Sequence, residues 1–246
     1  GDGIVWELHG VLKAMLIAMK DANALGTKVY IIGQNYSWGH DVQKLTRDYA
    51  KEYGYTIVGD VIHDVNKIQD FAPYVAKIKA AGADTVITGN WSNDMVLLIK
   101  AGKDSGLRVV WETYYGGSPG AVTAIGEAGV DTLKQVSEWH RNATPELDAT
   151  VAAFSKRFPG KENEYTYWRA KTMWEMFAAA AKKAQSNDPV KVARALEGMK
   201  MPTSLGEVEM RADNHQLLQP LFVSTLSRNV KYDSEDSGLG WKSDAK

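Results

Sequence analysis

The sequence predicts an α/β fold, a parallel sheet with helices on both faces. Three observations carry that reading. Apolar runs and helically spaced segments alternate four times between positions 28 and 111. The runs are nearly continuous in Val, Ile and Tyr, as strands buried on both faces are. The intervals between them are helix-length and close on glycine, as in βαβ units.

Taken in order, 6–25 is a long amphipathic helix. Lys28-Val29-Tyr30-Ile31-Ile32-Gly33 is a buried strand. From 40 to 54, Val42, Leu45, Tyr49 and Tyr53 fall on one helical face, and Gly54 stops the helix. A second strand spans 56–62. The next helix starts from an Asp70 cap, turns Phe71, Tyr74, Val75 and Ile78 inward, and ends at Gly82. A third strand spans 84–89. A helix from a Ser92 cap follows, carrying Met95, Leu98 and Ile99 as far as Gly106, then a fourth strand over 107–111.

The pattern changes after about 140. Thr144-Pro145-Glu146 reads as a helix start with proline in the first turn. Helices are expected over 147–158, 164–185 and 189–198, and extended segments over 206–210 and 217–226. A polar tail, expected to be loosely held, runs over 231–246. Residues 28–140 therefore read as one complete α/β lobe, and 145–205 as helices without a sheet of their own. Met173, Trp174, Met176 and Phe177, at helical spacing, are expected in a core.

Composition narrows the function. Apolar residues make up 44% of 246, and 29 Lys+Arg face 30 Asp+Glu, a net charge of −1. That is a globular balance with no basic cluster, so no nucleic-acid partner is expected. No apolar run approaches the roughly 18 residues that span a bilayer. Cysteine is absent, which excludes disulfides, thiolate metal sites and cysteine nucleophiles. Gly1-Asp2-Gly3 opens without a signal-peptide pattern.

Catalytic motifs fail on mechanism. Gly116-Gly117-Ser118-Pro119-Gly120 matches G-x-S-x-G. A nucleophile elbow, however, needs the backbone N–H of the residue after serine, and Pro119 has none. His9, His40, His63, His140 and His215 show no metal-ligand spacing. There is no P-loop and no G-x-G-x-x-G, so no cofactor and no metal are expected.

The informative residues are aromatic. Three strand-to-helix turns read Gln34-Asn35-Tyr36-Ser37-Trp38-Gly39, Gly89-Asn90-Trp91-Ser92-Asn93 and Thr113-Tyr114-Tyr115-Gly116-Gly117. Ligands of open α/β sheets bind outside the carboxyl ends of the strands. Indole and phenol rings there supply apolar walls with polar handles. A binding cleft is expected, lined by Tyr36, Trp38, Asn90, Trp91, Tyr114 and Tyr115. As a cleft ring, Trp38 is expected to contribute to affinity and little to the stability of the empty protein.

In succession, the stretches 28–39, Asp70-Phe71-Ala72-Pro73-Tyr74-Val75-Ala76-Lys77-Ile78-Lys79 and Ala83-Asp84-Thr85-Val86-Ile87-Thr88-Gly89-Asn90-Trp91 resemble the periplasmic solute-binding proteins of branched-chain amino acid ABC transporters, over 8–225. The resemblance implies the type I periplasmic-binding fold, two α/β lobes closing on a ligand by a hinge motion. It assigns 8–140 and 206–230 to the second lobe and 141–205 to a helical return to the first, whose opening segment is absent from this chain. It implies a periplasmic, non-enzymatic protein that hands a small solute, a branched-chain or aromatic amino acid or a related carboxylate, to a membrane permease. The same clamshell used by a ligand-sensing receptor or regulator is the alternative. By position, Trp38, Asn90 and Trp91 match ligand-pocket turns, and Tyr165 matches a cleft tyrosine on the returning helix. Tyr115 stands where the branched-chain amino acid binders place an acid for the ligand's ammonium.

Overall fold

A computed structural model describes residues 2–160 and 168–245. Its centre is a seven-stranded sheet built from β1 (Lys28–Gln34), β2 (Thr56–His63), β3 (Thr85–Thr88), β4 (Val110–Thr113), β5 (Leu133–Ser137), β9 (Phe222–Ser227) and β10 (Gly240–Ala245). The order is β10-β9-β5-β4-β3-β1-β2. β1 to β5 pair in parallel. β9 and β10 add antiparallel at one edge, so the sheet is mixed rather than wholly parallel.

Strand β1 shows why the sheet needs helices on both sides. Val29 and Ile31 point to one face, against Leu12, Met15 and Leu16 of α1 (Asp2–Asp21) and Val42 and Leu45 of α2 (Ser37–Tyr53). Tyr30 and Ile32 point to the other, against Val75 and Ile78 of α3 (Ala72–Ala80) and Leu98 and Ile99 of α4 (Ser92–Asp104). A short helix, α5 (Ala121–Ile125), joins the second face. Each such fully buried aliphatic side chain contributes about 1.5–3 kcal/mol.

Strand β5 interrupts its apolar run with Lys134 and Gln135, which hid it in the sequence. Both are buried. Lys134 Nζ reaches Thr225 Oγ1 on the adjacent β9 and, one strand further, Asp244 Oδ2 on β10, both at 2.7 Å. A paired ammonium can be buried where a lone one cannot.

The loosely held tail expected over 231–246 gives way to β10. Trp241 is buried in the core beside Leu226 and Leu239. Antiparallel pairing with β9 supplies the backbone bonds, which the tail's polar composition did not reveal.

The remaining elements form a smaller block. Helices α6 (Pro145–Arg157), α7 (Trp168–Ala184) and α8 (Pro189–Leu196) accompany a three-stranded antiparallel sheet of β6 (Lys200–Thr203), β7 (Gly206–Met210) and β8 (Leu217–Leu218). Positions 206–218 therefore pair here and not with the seven-stranded sheet; only the stretch from Phe222 joins it. Thr144 caps α6 at the expected helix start, its Oγ1 accepting from Leu147 N at 3.1 Å, and Asp188 Oδ1 accepts from Lys191 N at 3.0 Å at the start of α8. The caps expected at Asp70 and Ser92 are displaced by one residue: Phe71 and Trp91 take the N-cap positions of α3 and α4, neither with a side-chain cap bond. On α7, Met176 is buried as expected, but Met173, Trp174 and Phe177 lie exposed. No described sheet covers that face.

Candidate functional site

The three aromatic turns lie at the carboxyl ends of β1, β3 and β4, which are neighbours in the order β4-β3-β1. Adjacency in the sheet brings together residues that are some 80 positions apart in the chain.

The first turn is tight. Asn35 N donates to His63 O at 2.7 Å, and Tyr36 N to Gln34 O at 2.9 Å. Gly39 permits this fold-back, because a Cβ there would stand 1.9 Å from Gln34 O. The turn delivers Tyr36 to the surface and sets Trp38 half-buried over the sheet. Trp38 Nε1 donates to Gly89 O at 3.2 Å. Its ring meets Tyr114 edge-on at 5.3 Å between centroids and Tyr115 at 5.8 Å. Tyr36 and Trp91 make the second ring pair, with Trp91 Nε1 donating to Tyr36 Oη at 2.9 Å. Five of the expected site residues thus form two linked aromatic groups.

Asn90 takes a different position. It is fully buried, and its Nδ2 donates to His63 Nε2 at 2.9 Å, while His63 Nδ1 donates to Asp64 O at 3.1 Å. Its backbone N–H caps back to Thr88 Oγ1 at 3.1 Å. Beside it, buried Gln34 donates from Nε2 to Asp94 Oδ2 at 2.7 Å, and Asn66 N donates to the same oxygen at 2.8 Å. A buried carboxylate needs such donors, and the N-terminal turn of α4 favours its charge. This polar floor of Gln34, His63, Asn90 and Asp94 fixes the ends of β1, β2 and β3. Sequence reasoning placed only Asn90 at the site. The signal it passed over was a polar residue directly ending each of β1 and β2.

Trp38 also serves the empty protein. It joins the core cluster of Val42, Tyr114 and α1, as well as bonding Gly89. The expectation that it hardly matters to apo stability is therefore revised: an anchored, half-buried indole packs on protein before any ligand arrives.

Two acids adjoin the turns, and neither is a free surface charge. Asp94 is engaged as above. Glu112 lies buried in β4 with both carboxyl oxygens unpartnered, and burial pushes it from 4.5 up to about 8, opposed by Lys134. Burial thus favours its protonated, uncharged form at neutral pH. Burial likewise raises the Tyr114 phenol, with Glu112 adding to the shift, and raises Tyr36, which its bond from Trp91 opposes.

Ser118 sits in a plain turn, its N–H donating to Tyr115 O at 3.0 Å. Tyr165 lies outside the described residues. Among the described residues, no group of three or more His, Cys, Asp or Glu could hold a metal ion, and no helix is long and apolar enough to cross a membrane.

Comparison with known proteins adds a family and several relatives. A family profile described as periplasmic binding protein matches residues 9–231. A protein of Brucella abortus named Leu/Ile/Val-binding protein homolog 4 is 37% identical over 240 residues, covering 93% of this chain and 56% of the relative. The crystal structure of a leucine-, isoleucine-, valine-, threonine- and alanine-binding protein from Brucella ovis, in a closed conformation, superposes with a TM-score of 0.86 at 33% identity, covering 95% of this chain and 60% of that one. An ABC-transporter solute-binding protein from R. palustris, solved with 4-hydroxybenzoate, superposes at a TM-score of 0.73 and 23% identity, over 93% of this chain and 62% of that one, a likeness of fold alone. The chain spans less than two thirds of the length of each of these relatives.

Proposed function

Since the chain belongs to the periplasmic binding protein family, we propose that it is the substrate-binding component of an ABC transporter in the periplasm, a non-enzymatic carrier. It captures a small carboxylate or amino-acid-like solute against the three aromatic turns and delivers it to a membrane permease. The observation that carries the reading is the convergence of Tyr36, Trp38, Trp91, Tyr114 and Tyr115 at adjacent strand ends, where ligands of open α/β sheets bind. Asn90 acts from beneath as a positioning residue, and Tyr165 joins the proposed ligand set by family resemblance. In this reading, residues 8–140 together with β9 and β10 are one lobe, and 141–218 belong to the other, since β7 and β8 share a sheet with β6 and not with the seven-stranded sheet. The chain covers 56% and 60% of two of these relatives, and we assign the remainder of that other, first lobe to the uncovered part of their length. The exposed Met173, Trp174 and Phe177 face is the surface this reading offers to that part.

The ligand's charge follows from Glu112 and Asp94. The first is buried and mainly uncharged, and the second is fully buried with Oδ2 held by Gln34 and Asn66 and Oδ1 also shut away from the surface, so neither carboxylate is presented to an ammonium at these turns. Burying an unpaired ammonium is costly, and about 1.4 kcal/mol of that cost is a tenfold preference. An amine-free carboxylate is therefore favoured over leucine of similar size. The test is mass spectrometry of solute released from the denatured full-length protein, followed by competition titration of leucine, its keto acid and 4-hydroxybenzoate. Binding of one of these supports the carrier reading. Leucine binding tighter than both others would overturn the charge argument and place the counter-ion outside these turns. No binding of any solute would sink the carrier reading itself.

A further inference from the structure

Two segments carry the chain between the seven-stranded sheet and the α6–α8 block. One leaves β5 after Ser137 and enters α6 at Pro145; the other leaves β8 after Leu218 and enters β9 at Phe222. The first is anchored to the C-terminal segment, chiefly through the side chain of Asn142.

Asn142 adopts a left-handed backbone conformation, φ 79°, one that asparagine tolerates better than most residues. Its side chain is used at both ends. Nδ2 donates to Tyr232 O at 2.8 Å and to Trp241 O at 3.2 Å, and Oδ1 accepts from Tyr232 N at 2.8 Å. Its own backbone N–H donates the other way, to Asp148 Oδ1 in α6 at 2.9 Å. The residues before it reinforce the clip. The Arg141 guanidinium lies 4.4 Å from the Tyr232 ring centroid. His140 Nδ1 donates to Arg141 O at 2.6 Å, leaving Nε2 to accept from Ser243 Oγ at 2.9 Å in β10.

One residue thus holds the C-terminal strand with its side chain and the smaller block with its main chain. We propose that Asn142 is the pivot residue of this protein: it clips the outgoing crossover to Tyr232 and Trp241 so that the α6–α8 block swings about a fixed point on the sheet. The consequence for β10 is specific. The C-terminal segment 231–245 moves with the sheet and serves as the seat of the pivot. Trp241 extends that seat to the ligand-facing turn, since a Cβ at Gly116 would stand 2.8 Å from its ring. The swing rests on the carrier reading above; the clip itself rests on the geometry.

The experiment uses the full-length protein and two readouts. In a full-length background with any other cysteine replaced, Lys100→Cys on α4 and Asn187→Cys between α7 and α8 give spin labels on either side of the pivot; the 246 residues themselves contain no cysteine. Hydrogen exchange at Tyr232 and in β10 reads the clip, with Ile31 in β1 as the internal reference for global unfolding. Asn142→Gly keeps the left-handed backbone and removes the side chain. It should speed exchange at Tyr232 about three- to tenfold per lost bond, leave Ile31 unchanged, and broaden the distance distribution between the labels. Asn142→Asp keeps the acceptor for Tyr232 N and should fall between parent and glycine. Asp148→Ala cuts the other side, and should broaden the distances while leaving Tyr232 protected. Unchanged exchange at Tyr232 in Asn142→Gly, or parental distances in both Asn142→Gly and Asp148→Ala, overturns the proposal. A parent protein that binds no solute defeats the carrier reading instead, and the exchange arm still decides the clip.

Discussion

Strand β1 buries Val29 and Ile31 under one pair of helices and Tyr30 and Ile32 under another, each with 5% or less of its surface exposed. Helix α7 leaves Met173, Trp174 and Phe177 exposed by 54, 63 and 47%. Both segments are apolar at the period their secondary structure demands. They differ in what stands opposite. The sheet has helices on both faces, whereas among the described residues the smaller block gathers Leu147, Val151 and Leu205 into a small buried cluster of its own. A periodic apolar face states that something must cover it and is silent about what does.

The contrast can be broken most sharply at its strongest point. Ile31→Ala, at a site with no exposure, should cost about 2–5 kcal/mol of unfolding free energy, the range for an aliphatic core truncation. Urea denaturation measures it, and a loss below 1 kcal/mol would mean that the two-sided core is not what holds the sheet.

Next comes the flaw within that core. The Glu112 carboxyl is raised from 4.5 to about 8 by burial. Between those values the folded protein holds a proton that the unfolded chain has released. Stability therefore falls as pH rises through that window, is free of this penalty below it, and carries the full penalty above it. Glu112→Gln should stabilise the protein by on the order of 2 kcal/mol near pH 8, flatten the slope between pH 5 and 8, and change little at pH 4. Thermal melts across pH read all three, and an unaltered slope would place the titrating group elsewhere.

Trp38 joins the site to the core. Trp38→Ala should lower apo stability by about 1–2 kcal/mol through the lost edge contacts and the Gly89 bond. In the full-length protein it should also weaken solute binding by about 1–3 kcal/mol. Calorimetric titration beside a melt of the empty protein separates the two, and a variant that loses stability but binds as the parent does would confine Trp38 to the core.

The smallest effect sharpens the contrast from the other side. Trp174→Ser in the 246-residue chain should change stability by no more than about 0.5 kcal/mol, as for an ordinary surface position. In the full-length protein the same substitution should cost more if that face is covered. Equal, negligible effects in both lengths would show that the α7 face stays bare.

The caps expected at Asp70 and Ser92 fell one residue away, at Phe71 and Trp91, but the strands β1 to β4, the helices between them and the helix start at Thr144 were legible in the chain, because each depends on neighbours within a turn or two. The same holds for the aromatic turns, since β1, β3 and β4 each end in one, and strand ends of a parallel sheet share an edge. Strand β10 was not legible. Its Lys242, Ser243 and Asp244 read as tail until β9 offers backbone partners and Lys134 offers Asp244 a charge. Likewise β5 carries Lys134 and Gln135 into the interior, which only cross-strand pairing makes tolerable.

What the sequence determined by itself is local: periodicity, caps, glycine stops, and the residue types at each strand end. The tertiary structure decided which polar residues could be buried. Asn90, Asp94, Glu112 and Lys134 have nothing in common in sequence, yet all four lie inside. Three of them are held by partners between 27 and 110 positions away, and the fourth by losing its charge. The physical reason is that burying an apolar side chain needs only exclusion from water, which a pattern can signal. Burying a polar one needs a particular donor or acceptor at hydrogen-bond distance, and only the folded chain supplies that.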